Sequence, residues 1–277
     1  MSDADPRLTP ARPDLAAADL EGQVTAARYA PRRPHGVIAA SLTLSATPGG
    51  ARETQLLFGE RFDVLEVAGG YSWGQASRDG YVGWVPQNGL AAVETAPTHR
   101  VAATSAAMFK EPSVRAPVIL SLALNALVHT EAEANGFMRA SGAGWIPSAH
   151  LRPIGSNFAS DPVAVAETLL GTPYVWGGRD VAGLDCSALV QASLFACGRA
   201  CPRDSDQQET MLGRPLASDE TPGRGDLAFF DGHVGWLVDV ATLLHANSFH
   251  MAVATEPLAE AAARAGGAGP RFRRLSR

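Results

Sequence analysis

Apolar positions follow two different spacings on either side of a polar linker, "RPIGSNFASDP" at 152–162. Before it, stretches such as "TQLLFGERFDVLEVAGGYSWGQAS" and "VILSLALNALVHTEAEANGFMRAS" mix alternation with short apolar runs. Leu57, Phe58, Phe62, Val64, Leu65 and Val67 predict half-buried strands, with Gly69-Gly70 and Asn135-Gly136 as turns. After the linker, "PVAVAETLLG" predicts a helix, with Asp161 as N-cap and Pro162 at the first helical position. A second helix is expected in "GLDCSALVQASLFACG" (183–198), where Leu189, Val190, Leu194 and Phe195 recur at helical spacing. Asp185 is its N-cap and Gly198 its stop. Strand-like pieces follow at 225–230, 233–240 and 242–249, then a short helix, a Gly-rich turn and a final strand or tail. Helices first and an antiparallel sheet after them predict an α+β domain.

A weak repeat lies within the strand-rich part. Gly-Trp-apolar-Pro at Gly83–Pro86 returns 61 residues later at Gly144–Pro147, and each copy is preceded by the same strand–turn–strand setting. This looks like two small SH3-like β-barrels, over 34–94 and 97–153, with a third domain at 158–277. Residues 1–33, rich in Ala, Pro and Arg, read as an arm packing on a later element, with a short helix from Asp14 to Ala27. The length of 277 residues agrees with more than one domain.

Composition narrows the function class. A net charge of −5 and no basic block beyond the terminal "RFRRLSR" give no footing for nucleic acid. "MSDADPRLTPARPDLAAADL" has acids and prolines where a secretory signal needs a basic start and an apolar run. No stretch approaches the roughly 18 apolar residues of a membrane span. Three cysteines cannot all pair, so a reducing, cytoplasmic setting is expected, without membrane association.

Cys186 sits in the first turn of its helix, where unpaired backbone N–H groups favour a thiolate. Two readings are open from this stretch alone: a reactive nucleophile, or a buried inert thiol. A thiolate needs a base and the base an orienting partner. His233 opens one strand and His245 lies in the next, across a short turn near Asp239–Thr242. Antiparallel pairing would make them neighbours on one face, with His233 as base and His245 fixing its ring. A zinc site would use the same atoms, but it lacks a fourth ligand and any common spacing.

"GTPYVWGGRDVAGLDCSALVQ", "PRDSDQQ", "GDLAFFDGHVGWLV" and "LLHA" together resemble the NlpC family of bacterial cell-wall cysteine peptidases over most of 158–250. The barrels resemble those of the branch that cuts murein peptides, with a free amino terminus, between D-Glu and the diamino acid. The resemblance implies a papain-like catalytic domain with Cys186 as nucleophile, His233 as base and His245 as third member. It implies that Tyr174 assists the oxyanion or the substrate, and that Asp185 and Ser187 hold the D-Glu portion. Arg203, Asp204, Ser205 and Gln208 would line or support the groove. Tyr81 and Glu53, with Glu60 in reserve, would hold the substrate's amino group. The chain departs from the family at Ala188, where glycine is usual. No metal or organic cofactor is implied, and the partner is a small murein peptide, cleaved in wall-peptide recycling. An amidase or acyl transferase using the same cysteine, or a wall-binding module with an inactive peptidase domain, are the alternative expectations.

Overall fold

The computed structural model describes residues 5–92, 95–156, 158–266 and 269–276. The chain forms two compact units that divide between Ile154 and Gly155. The expected barrel end at 94 and part of the Gly-rich turn, at 267–268, fall outside the described residues.

The arm carries β1 (Ala16–Ala17) and β2 (Tyr29–Ala30), paired in parallel, around a single 3-10 turn at Ala18–Leu20. The helix expected at 14–27 is therefore not formed. Leu15 and Ala17 are instead buried against Trp73 and Trp84, and an extended segment lets the arm follow the sheet surface. The Arg12 guanidinium lies 4.2 Å from the Trp73 ring centroid and 5.1 Å from that of Trp84, and it pairs with Glu66 at 2.5 Å.

Seven strands follow: β3 (Arg33–Val37), β4 (Ser41–Ser45), β5 (Arg52–Leu57), β6 (Arg61–Ala68), β7 (Tyr71–Ala76), β8 (Val82–Pro86) and β9 (Leu90–Ala92), in the sheet order β5-β4-β8-β7-β6-β3-β9. Val37, Leu44, Leu56, Phe62 and Val85 share one core. A single core fed from both ends of the order requires the sheet to curl upon itself. The next strands are β10 (His99–Val101), β11 (Ser105–Phe109), β12 (Val118–Ala123), β13 (Leu127–Val128), β14 (Thr130–Ala134), β15 (Phe137–Ala140), β16 (Trp145–Pro147) and β17 (Leu151–Pro153). Their pairings repeat the first set strand for strand: β10 takes the place of β3, β11 of β4, β15 of β7 and β16 of β8. The counterpart of β6 is split at His129 into β13 and β14. The 61-residue repeat also recurs beyond the shared motif, in the 3-10 turns Gln87–Gly89 and Ser148–His150 and in β9 and β17. Its glycine has one cause in both copies. A Cβ on Gly83 would lie 2.4 Å from Leu44 Cδ2, and one on Gly144 would lie 2.5 Å from the Phe109 carbonyl oxygen.

The second unit is α+β. It contains α1 (Pro162–Glu167), β18 (Arg179–Asp180), β19 (Gly183–Leu184), α2 (Cys186–Ala196), α3 (Ser205–Met211) and β20 (Arg214–Pro215). After these come β21 (Asp226–Phe230), β22 (His233–Leu237), β23 (Thr242–Asn247), β24 (Ala252–Pro257), α4 (Leu258–Ala265) and β25 (Arg271–Arg274). A six-stranded sheet runs β20-β25-β21-β22-β23-β24, antiparallel throughout. Asp161 caps α1 by accepting from Val163 N, and Gly198 ends α2 at φ +72°. Helix α2 is buried nearly all round, so its polar residues must bond internally. Ser193 Oγ accepts from the indole N–H of Trp236 in β22 at 3.0 Å, and Gln191 Nε2 donates to the Cys201 carbonyl. The Ser193 bond ties the second half of α2 to β22, and the Gln191 bond ties the helix to the loop that follows it.

Candidate active site

Helix α2 begins at Cys186 because Asp185 caps it, accepting from Ala188 N at 2.8 Å. The thiol is 6% exposed and lies against the β22 backbone, where the Val234 N–H points at the sulfur. Burial, then the neighbouring Asp185 carboxylate, push the thiol up to about 12, against the opposing pull of the Val234 and Ser187 N–H groups and of Arg203. The helix start alone suggests a thiolate; burial outweighs it, and the resting group is a neutral thiol.

His233 opens β22, one residue before Val234. The pairing Trp236↔Leu244 and Leu237↔Leu243 runs on to set Gly235 across from His245, so the two imidazoles are diagonal neighbours on one face. Gly235 is obligatory here, since a Cβ would lie 2.8 Å from Leu243 Cδ1 and 2.9 Å from His245 Cβ. His233 Nε2 and His245 Nδ1 are 2.7 Å apart, and His245 Nε2 lies 2.7 Å from Glu256 Oε1 on β24. Glu256 is also paired with Arg264 of α4. Burial, reinforced by His245, lowers His233 to about 4, although Glu256 and Asp185 pull the other way. The pair at rest is thus a thiol and a neutral imidazole.

Tyr174 bonds through its backbone N–H to the Met251 carbonyl and lines, with His233 and His245, a cavity of about 350 Å³ that extends to Phe249, Arg264 and Arg271. Burial, and the negative charge that Cys186 and Asp185 carry when ionised, push its hydroxyl up to about 12, so it stays a proton donor. Cys186 itself does not line this cavity. Asp185, Ser187 and Asp204, expected at the substrate, are bonded within the chain. Asp185 takes a bidentate pair from the buried Arg203 (3.0 and 2.6 Å) and the Gly177 N–H, and Ser187 Oγ bridges Asp185 and Arg203. Asp204 and Gln207 form a reciprocal capping box on α3, which starts at the half-buried Ser205. Gln208 ties α3 to α2 by donating to the Ser187 carbonyl at 2.9 Å. His245, His250 and Glu256 place three donor atoms within 4.8 Å of one another. His245 and Glu256 are hydrogen-bonded to each other at 2.7 Å.

Residues 171–265 match the NlpC/P60 family, and residues 44–90 match the bacterial dipeptidyl-peptidase SH3 domain. The γ-D-glutamyl-L-lysine dipeptidyl-peptidase of Bacillus subtilis is 30% identical over 221 residues, 70% of this chain and 71% of that protein. The chain belongs to the NlpC/P60 family. Dipeptidyl-peptidase 6 of Lysinibacillus sphaericus is 32% identical over 90 residues, 32% of this chain and 33% of that one. The crystal structure of an NlpC/P60 family protein from Bacillus cereus superposes with a TM-score of 0.75 at 20% identity, covering 87% of this chain and 99% of that one. The fold is therefore the papain-like NlpC/P60 fold with an N-terminal SH3 domain. Members of the family are cysteine peptidases.

Within this NlpC/P60 chain, Ala188 is buried in α2 and its N–H serves the Asp185 cap. In the first unit, Tyr81 is packed in the barrel core at 4% exposure. Glu53 is half-buried on β5, at a bulge where the register passes from Leu44↔Thr54 to Ser45↔Arg52. Glu60 is fully buried, pairing with Arg78 at 2.9 Å and accepting from Leu57 N. Arg78 also donates to the Asn125 carbonyl, so Glu60 braces the turn between β12 and β13. Glu256 and Arg264 did not emerge from the sequence. The available signal was strand alternation, which puts Glu256 on the face that carries its cross-strand neighbour Leu243 and hence His245. Among the described residues, no helix is long and apolar enough to cross a membrane.

Proposed function

We propose that this protein is a cysteine peptidase that hydrolyses the γ-D-glutamyl-L-diamino-acid bond of murein peptides bearing a free amino terminus. The observation that carries the reading is the hydrogen-bonded His233–His245 pair, whose strand lays the Val234 N–H on the Cys186 sulfur. The substrate class is supported by the relative named γ-D-glutamyl-L-lysine dipeptidyl-peptidase and by the SH3 domain match.

The reaction begins with transfer of the Cys186 proton to His233 Nδ1, the nitrogen not engaged by His245. The sulfur attacks the γ-carbonyl carbon, and negative charge gathers on its oxygen. The Cys186 backbone N–H, at the first position of α2, and the protonated Tyr174 hydroxyl are the donors for that oxyanion. Collapse breaks the C–N bond while His233 returns the proton to the leaving amine. Water, deprotonated by His233, then attacks the thioester and releases the γ-carboxylate and the free thiol. A requirement for a free amino terminus would restrict the enzyme to peptides already released from the glycan, and so to recycling.

Mass spectrometry of L-Ala-γ-D-Glu-diaminopimelate, free or N-acetylated, tests the proposal. Release of diaminopimelate from the free peptide, and none with Cys186→Ala, is expected. Turnover surviving in Cys186→Ala would overturn the nucleophile, and equal cleavage of the acetylated peptide would remove the amino-terminal requirement.

A further inference from the structure

The hydrogen bonds that begin at His233 do not end at the second imidazole. Their line steps from β22 to β23 to β24 and closes on a carboxylate that is 7% exposed and held by a guanidinium on α4. We propose that Glu256, pinned by Arg264, is a positioning residue that dictates which nitrogen of each imidazole carries the proton, and so presents the lone pair of His233 Nδ1 to the thiol. The inference rests on the assignment of Cys186 and His233 as nucleophile and base.

The argument is one of donors and acceptors. An ionised carboxylate can only accept, so His245 Nε2 must carry its proton. Neutral His245 then offers Nδ1 as an acceptor, and the 2.7 Å contact requires the proton of His233 to sit on Nε2. Nδ1 of His233 is left with a lone pair, as a general base needs. Without Glu256, neither imidazole has a fixed donor side, and His233 can turn its N–H toward the thiol. Arg264 contributes in two ways. It keeps the buried carboxylate ionised and, with its guanidinium 4.1 Å from the Phe249 ring centroid, it holds that carboxylate in place.

The two partners act on the base with opposite sign. The Glu256 charge favours protonation of both imidazoles, whereas Arg264 opposes it at His245. The other groups facing the pair are Asp185 and Tyr174 on the His233 side, and His250 on the His245 side. None of these is altered by the substitutions below.

The full-length chain, Glu256→Gln and Arg264→Ala are compared in three measurements: steady-state hydrolysis of the free tripeptide, the pH dependence of Cys186 alkylation by iodoacetamide, and ¹⁵N spectra of the histidines. Glu256→Gln keeps the side-chain size and loses the charge. It is expected to lower kcat by about 10- to 100-fold, with KM within about twofold, and to move the acid limb of alkylation to lower pH. Arg264→Ala is expected to move that limb to higher pH. In the parent protein the ¹⁵N shifts should report Nε2–H on both His233 and His245. Unmoved limbs, limbs that move in the same direction, or a parent His245 protonated on Nδ1 would overturn the proposal. Should Glu256→Gln fail to fold, Arg264→Ala, at a residue one-third exposed, and the parent spectra still decide it. A parent protein that alkylates at Cys186 yet never cleaves the tripeptide would refute the substrate reading and leave this inference to the limbs and the spectra.

Discussion

Arg203 shows how much of this site is built by single buried charges. Its guanidinium is 1% exposed and spans both oxygens of Asp185 as well as Ser187 Oγ, directly beside the nucleophile. Truncation to methionine leaves the Asp185 carboxylate buried with only N–H and hydroxyl partners. Breaking such a pair costs about 3–5 kcal/mol. Arg203→Met is therefore expected to lower the urea midpoint substantially. Because Arg203 also opposes the upward push on Cys186, alkylation of the surviving folded protein should be slower than in the parent. Alkylation at the parent rate would show that the Asp185 charge does not reach the sulfur. The capping role of Asp185 is legible in "LDCSALV", because a cap acts within three residues. Its pairing with Arg203 is not, because 18 residues of chain separate them and no local period relates a loop arginine to a helix start.

At the level of elements, the site depends on how closely β22 and β23 approach. The alternation of "HVGWLV" and "TLLHAN" makes the two strands and the shared face of His233 and His245 readable, since period two fixes the face once the turn is placed. The alternation also explains why Glu256 escaped. An acid in a strand ordinarily faces water, and only the β23–β24 register, Leu243↔Glu256, puts it beside His245. The arm failed for a related reason: its alanines have high helix propensity, but the two tryptophans of the first barrel offer a groove that an extended segment fills better. Gly235→Ala tests the strand contact directly. The new Cβ would press on Leu243, which is fully buried, and on His245 Cβ, which cannot swing away. Displacing His245 by a few tenths of an ångström to one ångström is expected to cost about 10- to 100-fold in kcat, a loss of orientation greater than the loss of stability. Full activity in Gly235→Ala would mean that His245 tolerates a shift and that its bond to His233 is not critical.

The whole molecule carries its histidines and carboxylates as two separate acid sensitivities. His233 is held at about 4, against 6.5 for a free imidazole, mainly by burial, and burial lowers His245 as well. In that interval the unfolded chain binds protons that the folded protein refuses. The contribution of neutral His233 is complete above pH 6.5 and is lost as the pH falls toward 4, by about 3 kcal/mol, with His245 adding in the same direction. Asp161 and Glu256 behave differently, because their arginine partners hold them below the usual carboxylate range. Their stabilisation is complete above their unfolded values of 3.8 and 4.5 and is lost as the pH falls below these. Urea midpoints of the parent and of His233→Gln, measured at pH 7 and pH 4.5, separate the two causes. The parent midpoint is expected to drop clearly between these pH values, and that of His233→Gln to drop less, because the variant has no imidazole to protonate at that position. Parallel drops in the two proteins would assign the acid sensitivity to the carboxylates and would remove the buried neutral imidazole, on which the thiol-to-His233 proton transfer depends, from the account of the resting enzyme.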